Sequence, residues 1–272
     1  MPEQWLVFSD MDGTLLNHHD YRVEAAMPML KQLEEDHIPV IFNTSKTFAE
    51  LSSLVKQLNN RHPFIVENGS AIAVPEDYFD ASFQRQEFAQ ARQHSGYRVI
   101  VKGCDIQSIN SYLEEEQPDA INFVQCSIEE AIQLTGLSAS EVRAAQSRQY
   151  SVPLCFADRQ LEKEFSAKAV SAGFGILKGG RFLHVLGRCD KGSSMLYLKQ
   201  VYARFCGKTM TVIALGDSQN DEDMLEQSDV AVIVKSPSNA EIHLCRNEPI
   251  YTQEYAPEGW SEGVKLALQQ NL

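Results

Sequence analysis

A chain of 272 residues, 43% hydrophobic and 22% charged, is long enough for one large or two modest domains around a real core. Its 24 basic against 37 acidic residues leave a net charge of −13 and no basic stripe, which argues against a nucleic acid or an anionic membrane surface as partner. A small anion stays possible, because a few lysines in one pocket can bind a phosphate on an acidic protein. Six scattered cysteines with no CxxC pair read as reduced thiols rather than a disulfide framework or a zinc site. With no signal pattern and no apolar run long enough to span a bilayer, a cytoplasmic location is expected.

In chain order, residues 5–9 form a short apolar run ending in acid, the pattern of a strand buried on both faces. Residues 23–37 carry helical spacing, with Met27, Leu30 and Leu33 on one face. A second strand is expected over 39–42, a helix over 47–58 opened by a Thr47–Glu50 capping box, and a third strand over 64–66. Such alternation with short links predicts an α/β fold with a doubly wound parallel sheet. Past about Phe83 the rhythm changes. Strands are expected over 97–101, 121–126, 152–156, 174–177 and 182–186, with helices starting at capping boxes Ser127–Glu130 and Ser138–Glu141. From Asp190 the α/β pattern resumes: helix 191–205, strand 210–215, helix 221–227, strand 230–234 and a last helix near 261–269. The expected division is a core of residues 1–83 and 187–272, interrupted by an inserted α+β domain of residues 84–186.

In open α/β sheets ligands gather at the carboxyl ends of the strands. Four stretches fall there: Asp10-Met11-Asp12-Gly13-Thr14, Phe42-Asn43-Thr44-Ser45-Lys46-Thr47, Asp190-Lys191-Gly192, and Leu215 through Asp221 (LGDSQND). Either Asp10 or Asp217 alone would read equally well as a helix or turn cap. In this order and at these positions, the four together resemble the haloacid dehalogenase superfamily of phosphotransferases. That resemblance implies a core with an inserted cap domain of the C2 type. It makes Asp10 a nucleophile that forms an aspartyl-phosphate, and Asp12 the group that protonates the leaving oxygen and later activates water. Thr44 and the amide of Ser45 would donate to phosphate oxygens, and Lys191 would neutralise charge during transfer. Two carboxylates facing a dianion require a cation. Mg²⁺ would be held by Asp10, the backbone carbonyl of Asp12 and Asp217, with Asp221 or Asn220 in support.

A closer resemblance lies beyond those motifs. NTSKT at 43–47 stands where Cof-like phosphatases commonly have threonine-glycine-arginine, ENGSAI spans 67–72, RQYS spans 148–151 and GRFLHVLGRCDKG spans 180–192. Together they resemble the mannosyl-3-phosphoglycerate phosphatases over nearly the whole chain. The resemblance implies hydrolysis of 2-O-mannosyl-3-phosphoglycerate to mannosylglycerate and phosphate. Lys46, Arg148 and Arg181 would then supply the cations for a substrate with both a carboxylate and a phosphate. Ser45, Asn68, Ser151 and Asn220 would complete the substrate-binding set. The family stretch continues as Arg-Glu-Tyr-Ser-Glu, whereas here Val152 takes the last place, so altered hydroxyl contacts in the pocket are expected. Alternatives are a phosphatase of another sugar phosphate, a phosphotransferase or mutase on the same fold, and a non-catalytic phosphate-binding regulator. The last is disfavoured because every expected catalytic position is filled. His18 and His19 are expected as solvated loop residues, His184 and Trp260 as packing, and 34–36 and 114–116 as solvated charge runs. Oligomeric state is not legible.

Overall fold

The structure, a computed structural model, describes residues 4–237, 242–246 and 248–271. The chain begins with β1 (Gln4–Ser9), followed by α1 (Met27–Glu35), β2 (Val40–Phe42) and α2 (Phe48–Gln57). The capping box ahead of α2 forms as expected: Glu50 N donates to Thr47 Oγ1 at 3.2 Å and Thr47 N donates to Glu50 Oε2 at 2.8 Å. Next come β3 (Phe64–Val66), β4 (Ala71–Pro75), α3 (Ala81–Glu87), β5 (Arg92–His94) and β6 (Tyr97–Val101). The inserted stretch holds α4 (Ile106–Glu116), β7 (Ile121–Asn122), α5 (Ile128–Thr135), α6 (Ala139–Gln146), β8 (Ser151–Cys155), α7 (Arg159–Ser171), β9 (Gly175–Gly179) and β10 (Phe182–Leu186). The chain closes with α8 (Lys191–Cys206), β11 (Met210–Gly216), α9 (Glu222–Gln227), β12 (Val230–Lys235), β13 (Ile250–Tyr255) and α10 (Glu258–Asn271).

The central sheet is parallel throughout, in the order β13-β12-β11-β1-β2. Alternation along β1 sends side chains to opposite faces. Trp5 and Val7 pack with Leu33 of α1, Leu51 and Val55 of α2, and Trp260 and Val264 of α10. Leu6 and Phe8 pack with Met195, Leu198 and Val201 of α8 and with Met224 and Leu225 of α9. Helices on both faces make this a doubly wound α/β core, and burial on both faces explains why its strands read as unbroken apolar runs. Among the described residues no helix is long and apolar enough to cross a membrane, and all six cysteines are free.

Two strands depart from the sequence-based expectation. β3 touches the parallel sheet only at the Asn43–Ile65 bridge and otherwise pairs antiparallel with β4, in a sheet ordered β3-β4-β6-β5. β6, expected in the inserted domain, pairs with β4, and Val99 packs into the same cluster as Val7 and Phe42. Residues 84–101 therefore pack with the core, and the inserted layers begin only after Val101. Their sheet, ordered β7-β8-β10-β9, is antiparallel. One face, with Val152, Leu154, Leu183 and Val185, packs on Ile109 and Leu113 of α4 and on Phe165 and Ala169 of α7. The other face presents Pro153, Leu177 and His184 to a cavity between this layer and the core.

That arrangement corrects the reading of Val152. It is fully buried in the apolar cluster under α4 and α7, on the face turned away from the cavity, so the valine cannot change contacts to a ligand there. Restoring the family's acid with Val152→Glu would bury a carboxylate among Leu154, Phe165 and Val185. Urea unfolding should show a loss of about 3–5 kcal/mol, the scale of an uncompensated buried charge. A variant of unchanged stability would contradict this placement.

Candidate active site

Parallel strands deliver their carboxyl ends to one edge of the sheet. Ser9 is level with Phe42 of β2 and with Leu215 of β11, which brings Asp10, Asn43 and Asp217 side by side. Asp10 N donates to Leu215 O at 3.0 Å and Asn43 N to Ser9 O at 2.8 Å, so the loops leave the sheet in fixed register. Trp260, expected as packing, is fully buried and also donates to Ser9 Oγ at 2.9 Å, while Ser9 Oγ donates to Asp10 O at 2.6 Å.

Lys191 enters this edge as the first residue of α8, whose N-terminus is capped by Asp190 accepting from Ser193 N at 2.6 Å. A cation at the positive end of a helix is unfavourable by itself. Here Lys191 Nζ donates to Asp10 Oδ1 and to Asp221 Oδ1, each at 2.6 Å, with none of its side chain exposed. Its backbone is fixed in turn by Asn43, whose Nδ2 donates to Lys191 O at 2.9 Å. The second oxygen of Asp221 accepts from the amides of Asp217 and Ser218, both at 3.1 Å. Asp217 Oδ1 accepts from Thr14 Oγ1 at 3.1 Å. Gly13, at φ +80°, is required here, because a Cβ would lie 2.5 Å from Asp217 Oδ2.

Asp10, Asp217 and Asp221 each offer an oxygen within 4.8 Å of the others, all three buried, around the one ammonium of Lys191. Burial holds the Asp10 carboxyl well above the usual range, opposed by Lys191 and reinforced by Asp221 and Asp217. Burial, then Asp221, pushes Asp217 up to about 7. Burial works against the Lys191 ammonium, but the Asp10 and Asp221 carboxylates raise it above its ordinary value. The donor set is all oxygen and its negative charge exceeds what one lysine neutralises, which fits a hard divalent cation. Asp10, Asp217 and Asp221 are the residues that could hold it, with Asp221 already engaged through both oxygens.

Asp12 lies above this cluster at the mouth of a cavity of about 730 Å³ between the core and the inserted layers. Its Oδ2 is ion-paired to Lys46 Nζ at 2.8 Å, and its Oδ1 has no partner among the described residues. Burial disfavours charge on Lys46, but Asp12 and then Glu50 hold its ammonium above the ordinary lysine value. Ser45, Lys46, Asn68 and Asn220 line the cavity from the core side, and Arg148, Arg181 and His184 from the inserted side. Asn220 Nδ2 donates to Asn68 Oδ1 at 3.2 Å. Thr44 is buried in the loop after β2, its Oγ1 accepting from Lys46 N at 3.2 Å. Arg181 sits at the rim and donates to Leu134 O. His184 is buried, and burial with nearby Arg148 lowers it to about 3, a neutral ring as expected of a packed histidine. His18 and His19 are exposed and lie outside the cavity lining.

Of the expected binding residues, Ser151 is employed otherwise and Arg148 only in part. Ser151 is fully buried and does not line the cavity; its Oγ donates to Glu67 Oε2 at 2.6 Å and accepts from Arg148 Nε at 3.1 Å. Arg148 also donates from Nη2 to Ser45 O at 2.6 Å, which ties the inserted layers to the loop after β2. Glu67 was visible in the sequence only as part of ENGS, where an Asn-Gly pair signals a turn. Neither its position nor its partners 82–84 residues away could be read there.

Parallel sheet, buried lysine between two aspartates, and inserted layers over the strand ends define a phosphotransferase-type core. Residues 7–247 match the haloacid dehalogenase-like hydrolase family. The chain belongs to that family, and is a phosphoric monoester hydrolase. It is 32% identical over 269 residues, covering 97% of both chains, to a glucosyl-3-phosphoglycerate/mannosyl-3-phosphoglycerate phosphatase of Persephonella marina. A relative of the same name from Methanococcoides burtonii is 33% identical over 277 residues, covering 98% of both. Among solved structures, the fold is shared with a Thermoplasma acidophilum protein (TM-score 0.68, 17% identity, all of both chains). It is shared also with a haloacid dehalogenase-like hydrolase from B. subtilis (TM-score 0.65, 18% identity, 98% of this chain and 99% of that one).

Hydrolases of this family generally use Mg²⁺, and the acidic cluster suits it. The sign of the pH effect follows from Asp217. Its folded value near 7 lies above the ordinary 3.8, so protonation stabilises the metal-free fold fully below the lower value. That contribution is lost as pH rises through about 7. Cation binding should therefore release protons near neutrality and tighten as pH rises through about 7. Calorimetry with Mg²⁺ in buffers of different ionisation enthalpy measures this directly. A pH-independent affinity with no proton release would contradict it.

Proposed function

We propose that this enzyme hydrolyses a 2-O-glycosyl-3-phosphoglycerate, with mannosyl as the leading glycosyl group, to the glycosylglycerate and phosphate. The observation that carries this is the cavity, roofed by the inserted layers as a cap, with Asp12 and Lys46 on its core wall and Arg148 and Arg181 on its cap wall. A substrate bearing both a phosphate and a carboxylate needs cations beyond those serving the phosphate. Full-length similarity to the two glycosyl-3-phosphoglycerate phosphatases supports the same substrate class.

In this reading the Asp10 oxygen not held by Lys191 attacks phosphorus. The bond from phosphorus to the glycerate oxygen breaks, and Asp12 gives that oxygen a proton, leaving an aspartyl-phosphate. Water then attacks phosphorus, Asp12 takes the proton, and the bond to Asp10 breaks. Lys191 stays charged beside the transferring group, and Thr44 with the Ser45 amide orients its oxygens. Lys46 fixes the Asp12 carboxyl at the entrance. Asp10, Asp217 and the Asp12 carbonyl would hold Mg²⁺, which when bound offsets the charge repulsion between carboxylates and phosphate. Arg181 and Arg148 Nη1, the nitrogen engaged by neither Ser151 nor Ser45, would meet the glycerate carboxylate.

Phosphate release across a panel of phosphorylated sugars and glycerates tests the assignment. The glycosyl-3-phosphoglycerates should give the highest kcat/KM, without an acceptor sugar. Transfer to a second sugar, or preference for a neutral sugar phosphate, would contradict it. Asp10→Asn should keep the fold and abolish turnover. Arg181→Ala should cost roughly tenfold in kcat/KM on the glycosyl-3-phosphoglycerate and little on para-nitrophenyl phosphate, which lacks the carboxylate. Lys46→Ala should hurt both, because it also releases Asp12.

A further inference from the structure

The turn Glu67–Ser70 is built in an unusual conformation. Glu67, Asn68 and Gly69 have φ of +50°, +58° and +89° in succession. Two non-glycine residues in a row in the left-handed region persist only where the surroundings over-determine them, and such strain clusters at functional sites. The surroundings here are the loop after β2, the start of α8 and the loop after β11. Glu67 N donates to Lys46 O and Asn68 N to Thr44 O, both at 2.9 Å, which anchors the turn to the loop after β2. A Cβ on Gly69 would lie 2.1 Å from Asp190 O, and Ser194 Oγ donates to Gly69 O at 2.6 Å, so the turn also packs on the start of α8. Asn68 meets Asn220 in the loop after β11.

From this junction the Glu67 side chain, 1% exposed, reaches across to the cap. Its Oε1 accepts from Gln149 N at 2.9 Å, and its Oε2 from Tyr150 N at 3.1 Å and Ser151 Oγ at 2.6 Å. Arg148 Nε stands 3.9 Å away, and the same guanidinium donates to Ser45 O. Thr47 Oγ1 donates to Ala144 O at 2.9 Å as a further tie on the same side. The backbone of Glu67 is therefore tied to the loop after β2 while its carboxylate holds three consecutive cap residues.

We propose that Glu67 is a positioning residue that locks the cap in its closed register over the Thr44–Lys46 loop, so that cap closure and completion of the site are one event. A carboxylate buried against the cap, whose near cation Arg148 also lies on the cap, is satisfied only when residues 148–151 are seated. Opening breaks three hydrogen bonds to one charged acceptor together, which makes closure close to all-or-none. The inference rests on the phosphatase reading but not on which glycosyl group is bound.

Hydrogen exchange and kinetics on the full chain test it together. In Glu67→Ala the amides of Gln149 and Tyr150 should exchange at least about tenfold faster, with those of β1 unchanged. Loss of the closed population should lower kcat/KM for 2-O-mannosyl-3-phosphoglycerate about tenfold or more, mainly through KM. Para-nitrophenyl phosphate, too small to span core and cap, should change by less than about threefold. Glu67→Gln should recover part of the loss, because its one amide oxygen can still accept from the cap backbone. Should Glu67→Ala fail to fold, Ser151→Ala removes one of the three bonds and should move both readouts in the same direction. Equal losses on the two substrates, or unchanged exchange at residues 149 and 150, would overturn the proposal. If the wild-type enzyme ignores glycosyl-3-phosphoglycerates, the substrate reading fails, and the exchange result alone decides the role of Glu67.

Discussion

The site depends on one ammonium group. Lys191 Nζ is buried at the start of a helix, where both desolvation and the helix dipole oppose it, and two aspartates at 2.6 Å make that position tenable. Much of the local sequence serves to keep that triad in place. Asn43 holds the Lys191 carbonyl, the amides of Asp217 and Ser218 hold Asp221, and Trp260 through Ser9 holds the Asp10 carbonyl. Removing Lys191 would leave both carboxylates buried without their ammonium, whereas removing either carboxylate still leaves Lys191 paired with the other, so the lysine is the member the cluster cannot lose. Burial first, and neighbouring carboxylates after it, raise Asp10 and Asp217, and the excess of carboxylates over cations makes the cluster receptive to a divalent metal.

Above that floor, the wall of the cavity is divided between two bodies of structure. The core contributes Asp12, Lys46, Asn68 and Asn220, and the cap contributes Arg148, Arg181 and His184. A cavity built this way is complete only when the cap is seated, which links specificity to closure and closure to exclusion of water from the phosphoryl group. Arg148 illustrates the economy of the design: one guanidinium ties Ser151 and Ser45 together while still lining the cavity.

Much of this was legible in the sequence, for local reasons. A strand buried on both faces must be a continuous apolar run, so Leu6-Val7-Phe8 ahead of Asp10 declares both the strand and the site at its end. Capping boxes are reciprocal contacts within four residues, and those at Thr47, Ser127 and Ser138 all form. What could not be read was partner choice. β4 carries the β-branched Ile72 and Val74 but also two alanines and a proline in five residues, and its pairing with β3 and β6 is a tertiary decision that packs β6 with the core. α7 is polar with a weak pattern, and α4, though patterned like α1, opens without a side-chain capping contact from Asp105, so neither is expected from the sequence. β13 also went unassigned, although Ile250 and Thr252 alternate inward with exposed Tyr251 and Gln253. Ser151 and Val152 show the limit most clearly. A motif match placed both at the pocket, whereas strand alternation and the Glu67 contact place one in a clasp and the other in an apolar core.

The central chemical claim is that Asp10, the carboxylate clamped by Lys191, becomes covalently bonded to phosphorus. A single turnover in heavy-oxygen water, with enzyme in excess over a glycosyl-3-phosphoglycerate, followed by peptide mass spectrometry, tests this directly. Water attack on phosphorus returns the original Asp10 oxygen to the phosphate-free enzyme, so the Asp10 peptide should stay unlabelled and the phosphate should carry one heavy oxygen. Quenching in acid before hydrolysis completes should trap phosphate on that same peptide, in a form that hydroxylamine removes. Absence of any trapped phosphate on the Asp10 peptide at every quench time, with turnover proceeding normally, would contradict an aspartyl-phosphate and leave direct attack by water as the mechanism.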